Sequence, residues 1–546
     1  MSASSKKKLR NEQNAAKLTE RQLSEQKEAK KVKAYTIAFA VVMVVLVAIF
    51  LTTAVTGLIN TSGIREKNTV AVTIGDHELS NADLNYFFMD SVNQFYSQNG
   101  NYASLFGLDM TKPLDEQVFD TTTGGTWADY FLNSAKESAH SVYTLADLAA
   151  AEGYVLTEDE QATVDSAVSY AGIYASMYGY GSAEAYLKAM YGNGATEESY
   201  RAYVEKSLTA ESFYNAKAEA MDFDDAALRE AEAENFSAYS SFTYNYYYLA
   251  ASRFLKGGTT SEDGTTVTYS DEEKAASVTA AEEAAKTLTA EEITSVKDLD
   301  IAIAALDVNS STEASSTLAE DTLYSSVTAV IRDWVADESR KDGDKTYIAS
   351  TTTTTNEDGT ENVTVNGYYV VLFHSRNDNT YAMKNVRHIL AKFEGGTTDE
   401  TGTTTYSDEE KAAAKAEAEA LLEEWKAGEA TETSFADLAN TKSDDGDGTT
   451  GGLYENIVPS SNYVENFLNW SLEATTPGQT GIVETEYGYH VMFFVGNSEQ
   501  NYRDFMIESD LITKAMNTWY EESLAAVTVT DGDTAYIATD MVLSAA

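Results

Sequence analysis

Five histidines, His77, His140, His374, His388 and His490, are the groups in this 546-residue chain best suited to exchange a proton near neutrality. No cysteine is present, so a thiolate nucleophile, a disulfide and a lipid-bearing cysteine are all excluded. A metal site built from His388, His490 and Asp445 is conceivable by residue type. Yet no close ligand spacing such as H-x-x-x-H occurs to support one. The expectation is a site that works without metal or cofactor.

The elements that must position these side chains are marked by an internal repeat. Tyr269-Ser270-Asp271-Glu272-Glu273-Lys274-Ala275-Ala276 recurs, residue for residue, from Tyr406 to Ala413. Each copy follows a Gly-Gly-Thr-Thr turn, from Gly257 and from Gly395, and each turn follows an apolar strand pattern, YNYYYLA from Tyr244 and NVRHILA from Asn385. A helix rich in Ala and Glu comes next, and NGYYVVLF from Asn366 parallels YGYHVMFF from Tyr487 at the far end. Strand, polar Gly/Thr insertion, helix, loop, short helices and closing strand make an α+β order. Two copies of one domain are therefore expected over 241–380 and 381–502.

Before the repeats, Ser80 or Asn81 is placed to cap a helix starting near Ala82, and helices are predicted over 126–152, 157–178, 182–190, 196–220 and 224–238. Residues 66–240 thus read as a mostly helical lobe. Its Tyr and Met residues, Tyr170 to Tyr191, suit a core and would also suit an adaptable groove. A helix and a strand over 503–546 close the chain and are expected to pack with that lobe.

The formal net charge of −49 is unevenly spread. Residues 1–33 hold ten Lys/Arg against four Asp/Glu, so the remainder is still more acidic than the total. Such a body repels phosphate backbones, which excludes nucleic acid as a partner. Between head and body, residues 34–59 run for 26 positions without a charge, enough to cross a hydrocarbon core that needs about 20 helical residues. An uncleaved transmembrane helix fits this long head and span better than a cleaved signal peptide. Lys30, Lys31 and Lys33 beside the span are expected to hold the N-terminus in the cytoplasm, leaving everything after residue 60 outside the cell membrane.

Five separated segments of the second copy resemble the parvulin family of peptidyl-prolyl isomerases, in the family's order. These are RHILAKF from Arg387, SFADLANTKSDD from Ser434, GGLYENI from Gly451, NYVENFLNWSLEATTPGQTG from Asn462 and YGYHVMFF from Tyr487. The resemblance implies paired active-site histidines at His388 and His490, a polar loop residue at Asp445, and a proline pocket lined by Leu453, Tyr463 and Phe467. Tyr463 stands where the family usually has Met, and Tyr487 is bulkier than the small hydroxyl residue of some members. Both departures bear on substrate preference. In the first copy Tyr247 and Tyr369 are expected at the two histidine positions, which implies an inactive fold retained for architecture or polypeptide binding.

The chemistry required is rotation about an X-Pro bond, whose barrier is about 18–20 kcal/mol, with no bond broken. An apolar pocket that holds the pyrrolidine ring in a low-dielectric site favours the twisted amide, and a hydrogen-bonded histidine pair orders the pocket floor. The whole layout resembles the PrsA and SurA class of extracytoplasmic foldases, which implies unfolded exported polypeptides with X-Pro bonds as partners. A membrane-tethered holdase without significant isomerase activity is the alternative. The histidine pair favours the enzyme.

Overall fold

The computed structural model describes residues 63–109, 111–261, 265–308, 314–356, 358–446 and 448–540. The basic head and the 34–59 span lie outside these residues. No described helix is long and apolar enough to cross a membrane. The chain divides into two units, one made of its two ends up to Asp222 and from Ile512, the other running from Phe223 to Leu511.

In the first unit β1 (Val70–Ile74) pairs antiparallel with β2 (His77–Ser80) on one side and with the late strand Val529–Asp531 on the other. Helices α1 (Asn81–Asn99), α2 (Trp127–Ala151), α3 (Glu158–Met177), α4 (Ala183–Tyr191) and α5 (Glu197–Glu219) follow, close to their expected bounds. Reciprocal caps start α1, α2, α3 and α5. At α1, Ser80 Oγ accepts from the Asp83 N–H while Asp83 accepts from the Ser80 N–H. Trp127, Phe131, Tyr86 and Phe88 are fully buried in one core with the inner face of β1. Buried Asn81 and Asn85, one turn apart on α1, bind the C-terminal segment. Asn81 Nδ2 donates to the Asp533 carbonyl at 2.7 Å, and Asn85 Oδ1 accepts from the Ala538 N–H at 3.1 Å. Of the Tyr and Met residues noted above, Tyr174, Tyr186, Met190 and Tyr191 are core, whereas Met177 is exposed.

The second unit opens with α6 (Asp225–Glu234) and then holds two four-stranded antiparallel sheets of one topology. In the first, β3 (Ser241–Ala250), β4 (Thr317–Leu323), β5 (Lys345–Thr355) and β6 (Glu361–Asn377) lie in the order β4-β3-β6-β5, with α7 (Asp271–Leu288), α8 (Val296–Ala304) and α9 (Ala329–Ala336) packed on them. In the second, β7 (Ala382–Lys392), β8 (Leu453–Ile457), β9 (Thr480–Glu484) and β10 (Gly488–Asn501) lie in the order β8-β7-β10-β9, with α10 (Asp408–Ala427), α11 (Glu432–Lys442) and α12 (Glu465–Glu473). Helix α13 (Tyr502–Ala525) and β11 (Val529–Asp531) end the described fold.

The repeated octapeptide has a local physical cause. Ser270 and Ser407 cap α7 and α10, and Glu273 and Glu410 return the bond to their N–H groups. The same carboxylates also accept from the Gly258 and Gly396 N–H groups at 2.9 Å, tying the Gly-Gly turn to the helix start. Gly257 and Gly395 sit at φ 84° and 83°, and a Cβ on either would lie 2.3 Å from the Glu oxygen. One glutamate thus fixes both the cap and the turn, so the motif cannot drift without losing both.

Helix α6, read from sequence as part of the helical lobe, falls in the second unit because Leu228 packs against Tyr239 and Ile507 of α13. Beside them the guanidinium of Arg503, 1% exposed, pairs with Glu232. It also donates to the carbonyls of Phe236, Tyr239 and Asp378 and lies 3.9 Å from the Phe236 ring centroid.

Candidate active site

Strand alternation sorts the second sheet into two faces. Ile389 and Ala391 of β7 pack beneath α10 and α11, while Val386 faces α12 with Met492 and Phe494 of β10. His388, two residues on from Val386, takes the α12 face. In the antiparallel register His388 opposes Met492 and Leu390 opposes His490, which sets the two imidazoles diagonally across one strand pair.

Their Nδ1 atoms are 2.9 Å apart, and both rings are nearly fully buried, at 2% and 5% exposure. His490 Nε2 lies 2.9 Å from Thr485 Oγ1, and His388 Nε2 lies 3.0 Å from Asp445 Oδ2. The Asp445 carboxylate approaches as an ion-pair partner without the in-line alignment of a hydrogen bond. A proton on His388 Nε2 faces that carboxylate. His388 Nδ1 then accepts from the His490 Nδ1–H, and His490 Nε2 accepts from the Thr485 hydroxyl. One orientation of three protons thus orders the row from Asp445 through the two imidazoles to Thr485. Each Nδ1 is directed at the other, so neither is presented to a cation.

Burial, reinforced by the neighbouring His388, pushes the His490 imidazole down to about 4. The adjacent His388 imidazole holds the Asp445 carboxyl down at about 2, against the opposing effect of burial, and the Tyr454 hydroxyl donates to it at 3.0 Å.

Above the histidines stands an aromatic cluster. The Phe467 ring on α12 meets His388 at 5.3 Å and His490 at 5.6 Å, both edge to face, and is 3% exposed. Tyr454 packs on His388 and Phe467, and Tyr463 packs on both Tyr454 and Phe467 while 37% exposed. The cluster therefore has a dry floor and one open aromatic wall.

The loop that carries Asp445 and the Gly-Gly turn before Tyr454 are tightly held. Ser443 Oγ accepts from the Leu390 N–H, and the Asp444 N–H donates to the Leu390 carbonyl at 2.9 Å. Gly452, at φ 63°, lets its carbonyl accept from the His388 N–H at 2.8 Å; a Cβ there would lie 2.0 Å from the His388 carbonyl oxygen.

Of the residues expected from sequence, His388, His490, Asp445, Tyr463 and Phe467 come together in this cluster. Leu453 does not. It opposes Arg387 across the β7–β8 pair, on the side where Arg387 meets Glu432 of α11, and Tyr454 occupies the pocket face in its place. Tyr487 is 58% exposed at the β9–β10 turn and reaches the site through its backbone, its N–H donating to Thr485 Oγ1 at 3.2 Å. Tyr454 and Thr485 were missed. The Gly-Gly pair before Leu453 was the available signal for Tyr454, because the left-handed turn it makes sets which residue of β8 points inward.

The first sheet corrects a second position. Tyr369 opposes Tyr248 as His490 opposes Leu390, so Tyr246, two residues earlier, stands where His388 does. Tyr246 and Tyr369 share the α9 face, with rings 6.4 Å apart, whereas Tyr247 packs on the α7 side. An added single turn, Ala251–Phe254, between strand and Gly-Gly turn hides this offset in the sequence.

Residues 369–496 match the PPIC-type PPIASE domain family. No curated protein sequence matches the chain. Among solved structures the chain is similar to PrsA from Bacillus subtilis, at 13% identity and a TM-score of 0.27, covering 73% of this chain and 86% of that one. It is also similar to the peptidylprolyl isomerase PrsA from Bacillus anthracis, at 17% identity and a TM-score of 0.16, covering 27% of this chain and 59% of that chain's length. A SurA-like chaperone structure from Campylobacter jejuni is similar at 11% identity and a TM-score of 0.15, covering 64% and 89% of the two chains. With its histidine pair, aromatic pocket and matched domain in one place, the chain carries a PPIC-type domain and is there a parvulin-type peptidyl-prolyl isomerase.

Proposed function

We propose that the second repeat isomerises X-Pro bonds in unfolded exported polypeptides, at the outer face of a membrane that residues 34–59 span. The observation that carries this reading is the position of Phe467, edge-on to both imidazoles and bordered by the open ring of Tyr463. A pyrrolidine ring laid on this wall places its amide over the histidine row. There the twisted amide, which has lost its charge-separated resonance, is favoured over the planar one by the dry surroundings. His388, Asp445 and His490 order the floor, and Tyr454, Tyr463 and Phe467 grip the ring. The first repeat and the helical unit hold the client during this step.

A protease-coupled isomerisation assay on residues 61–546 tests the reading. Phe467→Ala is expected to lower kcat/KM at least tenfold, since truncating a buried aromatic removes roughly 3–5 kcal/mol of packing. Thermal melts separate this from unfolding. A folded Phe467→Ala protein with unchanged kcat/KM overturns this placement of the pocket.

A further inference from the structure

The helical unit contains a cavity of about 400 Å³ lined by none of the residues of the histidine site. Its apolar walls are rings: Tyr86 stacks on Tyr203 at 4.9 Å between centroids, Phe87 meets Tyr203 edge-on at 5.0 Å, and Tyr143 completes the lining. Two lysines, Lys67 and Lys206, also line it. Lys206 is half-buried with its ammonium 4.5 Å from the Tyr143 ring centroid. Among the described residues neither ammonium makes an ion pair, in a chain whose acidic residues outnumber its basic ones more than two to one; Lys67 is exposed and its charge also reaches Glu184, which is paired with Lys188, so Lys206 is the partly desolvated one. The two carboxylates on the lining are otherwise placed. Asp83 accepts from the Ser80 N–H and hydroxyl as a helix cap, and Glu198 is exposed in the first turn of α5.

We infer that this cavity takes the C-terminal residue of a polypeptide, with an aromatic side chain against the ring walls and its terminal carboxylate on Lys206 and Lys67. The volume admits one or two residues, within the usual range for a small-ligand site of about 300–1,000 Å³. A partly desolvated ammonium without a counter-ion gains most from an anion that arrives with its own apolar surface. A chain end with an aromatic last residue has both parts. This inference rests on the reading of the chain as a protein that handles polypeptides, and it adds which part of the client is held.

The test is calorimetric titration of residues 61–546 with a hexapeptide ending in phenylalanine, as free acid and as amide, and with 3-phenylpropionate. The free acid is expected to bind at least tenfold more tightly than the amide. Lys206→Gln should remove that difference, and Ala202→Trp, which fills the cavity from an exposed position on its lining, should abolish binding of both forms. Isomerisation of a short peptide with an internal proline should be the same in all three proteins, so loss of that activity indicts the proposed function and not this site. Equal binding of acid and amide, no binding of either, 3-phenylpropionate binding as tightly as the peptide, or undiminished acid binding by Lys206→Gln would each overturn the inference.

Discussion

Tyr454 and Leu453 differ by one position on a strand, and that step moves a side chain from the histidine face to the α11 face. Tyr454→Ala should therefore lower kcat/KM at least tenfold, with Leu453→Ala within about threefold of wild type. The reverse order of effects in the same assay would contradict the register. A second expectation follows from His490. Its folded pKa near 4 lies below the ordinary histidine value of about 6.5, so the unfolded chain takes up the proton first. Its contribution to stability is complete above pH 6.5 and is lost as pH falls towards 4. Asp445, held near 2, adds a further loss only below its ordinary value of about 3.8. Melting temperatures should fall between pH 6.5 and 4 in the wild type more steeply than in His490→Gln. Parallel curves for the two proteins would show that the buried imidazole is not responsible.

Among the elements, the duplicated strand-turn-helix segment was legible in sequence because its chemistry is short-range. The capping glutamate, the cap serine and the Gly-Gly turn lie within about 16 residues, and each constrains the others. Strand facing was less legible. It depends on Gly452 and on the inserted turn at Ala251–Phe254, whose effects appear only when strands are paired. Arg503 was not legible at all, because its partners Glu232, Phe236, Tyr239 and Asp378 come from segments far away in sequence. With Tyr246 and Tyr369 at the histidine positions, the first repeat has no imidazole row at its pocket. The double variant His388→Ala/His490→Ala is thus expected to remove isomerase activity from the whole chain. Melts confirming a folded protein with appreciable residual activity would assign catalysis to the first repeat as well.

For the whole molecule, charge distribution and the uncharged 34–59 run carry the reading of its location. Protease added outside intact cells should digest the body and spare the basic head, and a body protected until the cells are lysed would refute the topology. The α+β class and the helical character of the first unit were readable from periodicity and caps. The second unit's capture of α6 was not, because it rests on the packing of Leu228 against a helix nearly 280 residues later.

The bonds from Asn81 and Asn85 to Asp533 and Ala538 join positions more than 450 residues apart, and β1 gains one of its two neighbours only from Val529–Asp531. The second unit is thus threaded between the two ends of the first. During synthesis the emerging chain can complete the isomerase while the helical unit still lacks its last strand. That unit must then wait, with its apolar β1 edge uncovered, until residues 529–538 have been delivered. The catalytic domain matures early and the cavity-bearing unit late, so a stalled or clipped chain would retain catalysis but lack a finished helical unit.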